Sequence, residues 1–127
     1  MIQDLVGVIL WTDNLDAMVR FYRDALGLLV HSDHGDFVAF QVRPGVRLSV
    51  GRHAQVRGPA RDPYRVMVNL QVADIHAAHQ TLVRKGVPFL RLPEQEEWGG
   101  WVATFQDPDG NVLQLFQFVP NAAPEKL

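Results

Sequence analysis

Histidine is the residue type in this sequence best suited to acid–base or metal chemistry, and the chain has five of them. His76 and His79 are three positions apart on a predicted helix, where they share a face, but that face is predicted to be solvated. His31 and His34 flank a predicted surface turn. His53 follows a predicted strand and is the one histidine that is a candidate base or ligand contact.

Standard catalytic motifs are missing from the rest of the sequence. The chain has no cysteine, which excludes thiolate nucleophiles, thiolate metal sites and disulfides. It has neither a nucleophile elbow around a serine nor a glycine-rich phosphate loop. The sequence therefore predicts no hydrolase triad and no nucleotide-phosphate site.

Composition and charge limit the possible partners. The chain has 127 residues, 47% hydrophobic and 20% charged, which is typical of one globular domain. Its net charge of −2 gives no electrostatic footprint for nucleic acid or an anionic membrane. No apolar run reaches the roughly 18 residues that a membrane span needs, and the first residues lack a basic leader. We expect a cytoplasmic protein with a small-molecule ligand and with no nucleic-acid or membrane partner.

A predicted β-hairpin near the end of the chain carries an informative polar residue, Gln114. Its turn, residues 107–111, reads DPDGN: Pro108 fixes φ, the aspartates bond nearby amides and the glycine tolerates positive φ. The flanking runs, 101–105 and 112–118, are rich in β-branched and aromatic residues. Gln114 interrupts the second run, so the surroundings of its side chain decide much of the functional interpretation.

Hydrophobic periodicity and turn residues divide the chain into two similar halves. The first half is predicted to contain strands at residues 5–11, 28–31, 37–42 and 46–51, with a helix between Asn14 and Gly27. The second half is predicted to contain strands at residues 65–72, 87–90, 101–105 and 112–118, a helix between Asp74 and Gly86, and a loop at residues 92–100. Residues 53–64, with their Gly-Pro and Asp-Pro pairs, are the predicted linker.

This order predicts an α+β fold of two tandem βαβββ modules. Module 1 covers about residues 1–52 and module 2 about residues 65–119, within a single domain that ends in a tail at residues 120–127. Each module is expected to form a curved mixed sheet with its helix on the convex side. The concave faces are expected to form a cleft, the kind of place where small ligands bind.

Two signatures resemble those of a known superfamily. Residues 21–28 read FYRDALGL, following Asp-Asn-Leu at 13–15, and residues 107–116 read DPDGNVLQLF. Together they resemble the glyoxalase / bleomycin resistance / extradiol dioxygenase superfamily (vicinal oxygen chelate fold) over almost the whole chain. The resemblance implies the fold but not the activity, because this fold hosts metal-dependent isomerases, dioxygenases and thiol transferases as well as metal-free antibiotic-binding proteins.

The resemblance also implies where a metal would be held. Metal-dependent members carry His, Glu or sometimes Gln on the first and last strands of each half, and alignment through the motifs places those four positions at Gly7, Leu48, Met67 and Gln114. A shift of one or two residues at the second position would give Arg47, Ser49 or Val50. A divalent ion needs three or four nitrogen or oxygen donors, and only Gln114 offers a suitable one. The sequence therefore predicts a member without the family metal centre and without a cofactor.

Strand alternation predicts which side chains share the cleft face with those positions. The predicted ligand-binding residues are Gly7, Ile9, Trp11, Leu48, His53, Met67, Asn69, Trp101, Gln114 and Phe116. They form a mainly apolar and aromatic wall with Asn69 and Gln114 as central polar groups, a composition typical of a small-molecule pocket. Trp98 and Trp101 are expected to supply a mobile aromatic wall, and Gly7 to leave space for the ligand.

Other interpretations fit the same residues. Asn69 and Gln114 can satisfy each other or the backbone inside a collapsed sheet. Met67, Leu48 and Phe116 can be core residues, and the tryptophans can lie in a dimer interface. The leading hypothesis is a metal-free binding protein, a homodimer whose cleft forms within one chain or between swapped halves. The alternatives are a lyase, isomerase or oxidoreductase related to glyoxalases or dioxygenases, with non-standard metal ligands or none, and a regulatory protein with a decayed site.

Overall fold

The structure is a computed structural model that describes residues 1–119. The chain divides into two compact units, Met1–Pro59 and a second that begins at Ala60. The division falls inside residues 53–64, the stretch that the sequence predicts as a linker. The predicted tail at residues 120–127 lies outside the described residues.

Unit 1, the part of the chain up to Pro59, is a four-stranded mixed sheet with a helix on one face. Its elements are β1 (Gly7–Thr12), α1 (Leu15–Arg20), a π-helical turn (Phe21–Ala25), β2 (Leu29–Asp33), β3 (Phe37–Arg43) and β4 (Val46–Arg52). The strand order is β1-β4-β3-β2, with β1 parallel to β4 and the other pairs antiparallel. The first and last strands of the unit are therefore neighbours, and their residues meet on common faces.

The helix of unit 1 begins and ends where the sequence predicts. Asn14 occupies the N-cap position, although its side chain makes no capping hydrogen bond. Gly27 ends the helical segment with a φ of +71°, a conformation that favours glycine. Tyr22 is fully buried, and its ring lies 6.3 Å from that of Phe40 on β3. One face of the sheet is thereby covered by the helix.

Unit 2, which begins at Ala60, repeats this topology. Its elements are β5 (Val68–Gln71), α2 (Ile75–Arg84), β6 (Phe89–Gln95), β7 (Trp101–Gln106) and β8 (Val112–Gln117). The strand order is β5-β8-β7-β6, again with only the first pair parallel. The predicted α+β fold of two βαβββ modules is confirmed. Neither helix of the described residues has the length and apolar character required to cross a membrane.

The helix of unit 2 has the predicted caps. The Asp74 side chain accepts a hydrogen bond from the Ala77 N–H at 3.1 Å, and Gly86 follows the helix with a φ of +84°. Ile75 and Leu82 on this helix are buried, as are the core residues of β7 and β8. The helix therefore covers one face of its sheet, as α1 does in unit 1.

Two strands of unit 2 differ from their predicted bounds by several residues at one end. β6 extends to Gln95, so the prediction of a loop from residue 92 is wrong. Pro93 is tolerated because β6 is an edge strand whose pairing with β7 is interrupted by register shifts. β5 begins only at Val68, so Met67 lies before the strand and its face is not fixed by alternation with Asn69.

The turn between β7 and β8 is organised by Asp107. Its Oδ1 accepts hydrogen bonds from the N–H groups of Asp109 and Asn111 at 2.9 and 3.0 Å, and its Oδ2 accepts one from Asn111 Nδ2 at 2.8 Å. The predicted hairpin is confirmed. The turn also fixes the register in which Thr104 stands opposite Gln114.

Candidate functional site

One face of the unit 2 sheet, called here the Gln114 face, carries a row of polar side chains. Gln114 is the register partner of Asn69 on β5 and of Thr104 on β7. Gln114 Nε2 donates to Thr104 Oγ1 at 3.2 Å. Thr104 is buried, Gln114 half-buried and Asn69 exposed. Asn69 and Gln114 share a face as predicted, and within residues 1–119 the hydrogen-bond partner found for the Gln114 amide is Thr104 rather than Asn69.

Three aromatic rings extend the Gln114 face toward the end of β8. Phe116 and Phe118 have ring centroids 6.2 Å apart. The ring of Trp98 lies nearly parallel to that of Phe116, at 17° and 6.3 Å, and 6.0 Å from that of Phe118. All three residues are half-buried, and we call them the Trp98 cluster. They place an apolar, stackable surface beside the polar row.

The loop between β6 and β7 holds Trp98 in this position. A side chain at Gly100 would overlap the Trp98 ring, so the ring packs over bare backbone. The Glu96 N–H donates to the Gly100 carbonyl at 2.8 Å, and Arg91 Nη2 donates to the Glu96 carboxylate at 2.9 Å. Hydrogen bonds to Glu94 and Glu96 raise the pKa of Arg91 above its usual value. Arg91 therefore stays cationic and ties the loop to β6.

Trp101 lies on the other face of this sheet. Its ring is 4.8 Å from that of His76 on α2, on the side that packs against the helix. Trp101 is a predicted ligand-binding residue, but its side chain lies on the opposite face from Gln114, because Thr104, the register partner of Gln114, is three residues away on β7. The role of Trp101 in ligand binding stays a prediction. His79, on the same helix, packs edge-on against Phe89 with its Nε2 buried, so the predicted solvated histidine face holds for the exposed His76 but not for His79.

The corresponding surface of the unit 1 sheet is called here the Gly7 face. Gly7, Ile9 and Trp11 alternate along β1, and Ile9 and Trp11 are 48% and 40% exposed. The Trp11 ring lies 5.8 Å from Phe37 and 5.3 Å from His53. The three residues of β1 share a face as predicted, and their role in ligand binding stays a prediction.

Two glycines on this face are required by close contacts. A Cβ at Gly51 would lie 2.7 Å from the Phe37 ring and 2.8 Å from the Trp11 ring. A Cβ at Gly7 would overlap the backbone carbonyl oxygen of Arg47. The close pairing of β1 with β4 therefore explains why residue 7 is glycine. This explanation does not require the glycine to leave space for a ligand, as the sequence analysis expects.

β4 has its two faces reversed relative to the prediction. Gly7 pairs with Arg47 and Ile9 with Ser49, so these polar residues lie on the Gly7 face. Leu48 is 1% exposed on the opposite face, and the prediction that it shares a face with Gly7 is wrong. The sequence analysis names Arg47 only as an alternative at a shifted position and does not include it among the predicted ligand-binding residues. The alternation of Val46, Leu48 and Val50 along β4 indicates in the sequence that these residues face the core, and that Arg47 therefore faces the other way.

His53 lies in a surface pocket of about 350 Å³ in unit 1. The pocket is lined by Thr12, Asp13, Arg52, His53, Ala54 and Arg57. His53 Nδ1 accepts a hydrogen bond from the Gln55 N–H at 3.1 Å. A neutral ring in this arrangement carries its proton on Nε2 and presents a donor to the solvent. A role for His53 as a base stays a prediction.

The positions that the resemblance assigns to metal ligands do not fit a metal here. Gly7 has no side chain, the position on β4 presents Arg47 or Ser49, and Met67 offers only a soft thioether. Within residues 1–119, no group of three or more His, Cys, Asp or Glu side chains is arranged to hold an ion. The donor set centred on Gln114 therefore does not match a family-type metal centre.

Comparison with known proteins agrees with the architecture. The family model of the Glyoxalase/Bleomycin resistance protein/Dioxygenase superfamily matches residues 4–115. The chain belongs to this superfamily. The uncharacterized protein YetH of Bacillus subtilis is 27% identical over 121 residues, which cover 91% of this chain and 98% of YetH. A bleomycin resistance protein of Klebsiella pneumoniae is 50% identical over 32 residues, which cover 25% of each chain.

A solved structure of the superfamily shows the same fold. A glyoxalase/bleomycin resistance protein/dioxygenase from Nocardioides has a TM-score of 0.74 and 24% identity, and the match covers 100% of this chain and 91% of that chain. This chain is a superfamily member that lacks most of the metal ligands. Membership in the superfamily explains the two βαβββ units. It does not determine the function, which has to be inferred from the residues of the Gln114 and Gly7 faces.

Proposed function

We propose that this superfamily member is a metal-free small-molecule binding protein of the bleomycin-resistance type, holding an apolar or aromatic ligand on the Gln114 face. The observation that supports this proposal is the juxtaposition of a polar row with the Trp98 cluster on one sheet face. Small-molecule sites combine apolar and aromatic walls with a few placed polar groups in this way.

The hydrogen bonds of the polar row indicate how a ligand is oriented. Gln114 Nε2 donates to Thr104, which leaves Oε1 to accept a hydrogen bond from an N–H or O–H group of the ligand. Asn69 is exposed on the same row and offers both a donor and an acceptor. An aromatic ring of the ligand stacks against Trp98 and Phe116. Such a ligand needs no metal ion for orientation.

The same proposal includes antibiotic sequestration by a cytoplasmic homodimer. The similarity to the bleomycin resistance protein of Klebsiella pneumoniae supports the sequestering role. The edge strand β2 exposes Leu29 and Val30, at 75% and 45%, which supports association between copies. Light scattering on the purified full chain tests the assembly: a mass of two chains is expected, and a strict monomer contradicts it.

A thermal-shift screen tests the binding function. Protein treated with EDTA is heated with aromatic and peptide antibiotics, and a ligand that binds only the folded state raises the melting temperature. Hits are titrated by calorimetry into wild type, Gln114→Leu and Gln80→Leu, the last an exposed glutamine on α2 that serves as the matched control. Loss of affinity in Gln114→Leu alone supports the proposal. Conversion of a hit to product by the chelated protein would instead identify a metal-free enzyme.

A further inference from the structure

A further surface pocket of unit 1, of about 330 Å³, lies between α1 and the hairpin formed by β2 and β3. Its volume falls at the lower end of the range of roughly 300–1,000 Å³ that small-molecule sites occupy. Val38, which lines the pocket, shares its sheet face with Phe40, the residue that Tyr22 of the helical segment contacts. The pocket therefore lies on the helix side of the sheet, away from the Gly7 face.

The floor of this pocket is apolar and its rim is charged. Leu15 and Val38 are buried and Val19 is half-buried, so these three side chains form the floor. The other side chains that line the pocket are charged and exposed, namely Asp16, Arg20, Arg23 and Asp33. A ligand can therefore reach the charged groups directly from solvent.

The charges of the rim come from two different elements. Asp16 and Arg20 are four residues apart on α1, so they share one face of the helix. Asp33 ends β2 and is the register partner of Val38 on the floor. The Asp33 Oδ1 accepts a hydrogen bond from the Gly35 N–H at 2.9 Å, which fixes this carboxylate in the turn. One carboxylate and one guanidinium thus come from the helix, and a second carboxylate comes from the hairpin.

The charges of the rim differ in whether they already have partners. Arg23 donates two hydrogen bonds to Asp24, at 2.8 and 3.1 Å, and these bonds and the negative charge of Asp24 raise the pKa of Arg23. Within residues 1–119, the side chains of Asp16 and Arg20 form no ion pair with each other or with any other residue. Asp33 is also absent from those ion pairs. Two carboxylates and one guanidinium are therefore left to meet a ligand.

We propose that this pocket binds a free basic amino acid of the lysine type, with its α-carboxylate on Arg20 and its two ammonium groups on Asp16 and Asp33. A guanidinium donates two parallel hydrogen bonds to a carboxylate, and each ammonium group offers three donors to the aspartates. The aliphatic chain of the amino acid covers the apolar floor. The proposal goes beyond the function assigned to the Gln114 face, and it rests on residues of unit 1 alone.

L-lysine and two analogues test this proposal in the full-length wild-type protein. Norleucine lacks the side-chain ammonium group, and lysinamide lacks the carboxylate. We expect lysine to bind saturably with a Kd in the millimolar range, because exposed ion pairs contribute little each, and both analogues to bind at least about threefold more weakly. The backbone amide resonance of Gly35, whose N–H donates to Asp33, reports binding and should shift and saturate with lysine.

Two variants test the assigned partners. Arg20→Met should weaken lysine binding at least about threefold and leave lysinamide binding unchanged. Asp33→Asn keeps an acceptor for the Gly35 N–H but removes the charge, and it should weaken lysine binding by a similar factor. The matched controls are Arg43→Met, at an exposed arginine, and Asp4→Asn, at an exposed aspartate that also accepts from a backbone N–H, and both should bind lysine as wild type does.

The ligand series on wild type makes the test independent of the folding of any variant. The proposal is overturned if lysine leaves the Gly35 resonance unchanged, or if norleucine or lysinamide binds as tightly as lysine. It is also overturned if Arg20→Met, folded as wild type, keeps the wild-type affinity for lysine.

Discussion

Asn69 and Gln114 lie directly opposite each other on the parallel strands β5 and β8. Gln114 is anchored by its hydrogen bond to Thr104, and the ring of Phe116 follows two residues later on the same strand face. Where the resemblance implies a metal ligand, this chain has a carboxamide that is held by a hydroxyl group. That arrangement favours hydrogen bonding to an organic molecule over coordination of an ion.

Replacement of Gln114 by Leu should separate ligand affinity from stability. The substitution removes the hydrogen bond to the buried Thr104, so the free energy of unfolding should fall by only about 1 to 2 kcal/mol. Affinity for a ligand found in the screen should fall at least about tenfold, because the orienting acceptor is lost. Denaturant unfolding and calorimetry measure the two effects. Unchanged affinity in this variant would remove Gln114 from the site.

Substitution of Gly100 by Ala should displace Trp98. The added Cβ would overlap the indole ring, and such overpacking costs about 1 to 3 kcal/mol. Near-ultraviolet circular dichroism should report the loss of the Trp98–Phe116 stack, and ligand affinity should decrease with it. Gly35→Ala is the control for a glycine-to-alanine change without a ring clash: Gly35 has a positive φ, unlike Gly100, but open space around an added Cβ, so the aromatic spectrum should stay unchanged. An unaltered aromatic spectrum in Gly100→Ala would contradict this account of the loop.

Asp107 should be the most sensitive position of the β7–β8 turn. Asp107→Ala removes three hydrogen bonds to Asp109 and Asn111, so we expect a loss of about 3 kcal/mol in the free energy of unfolding. Asp36→Ala, which removes an exposed ion pair with Arg52, should cost less than about 1 kcal/mol. Urea unfolding of both variants checks the contrast. Equal losses would show that the turn does not depend on the Asp107 carboxylate.

Chelation should leave the protein unchanged. The positions implied for metal ligands supply one suitable donor, Gln114, which is too few for a divalent ion. We expect the melting temperature and ligand affinity to be the same before and after EDTA treatment. Elemental analysis of untagged protein should find less than one metal ion per chain. A stoichiometric transition metal that restores lost stability would contradict this expectation.

Local sequence signals predicted most of the fold. Asp74 and Gly86 frame α2, and Asp107 with Gly110 forms the predicted hairpin turn, because capping and turn chemistry act over a few residues. The misplaced loop after residue 92 reflects Pro93, which is a poor strand former except on an edge. Edge status depends on strand order, and no local pattern reveals it.

The candidate site was less predictable because it depends on strand register. Leu48 is predicted on the Gly7 face but lies on the core face, because an error of one residue is enough to reverse a face. Trp101, a predicted ligand contact, lies on the helix side of its sheet. The resemblance assigns Leu48 to the ligand face, whereas the apolar alternation of β4 indicates that Leu48 faces the core. The alternation along β4 indicates that Arg47 lies away from the core, and the pairing of β4 with β1 places it opposite Gly7.

The central claim, metal-free binding on the Gln114 face, is tested most directly by NMR of the chelated protein. A ligand found in the screen is titrated in EDTA buffer while the side-chain amide of Gln114 and the indole N–H of Trp98 are followed. Both resonances should shift and saturate with one Kd, and the Arg91 and Gln80 side-chain signals should change less. Binding that appears only after a divalent metal is added, or that leaves Gln114 and Trp98 unperturbed, would contradict the claim.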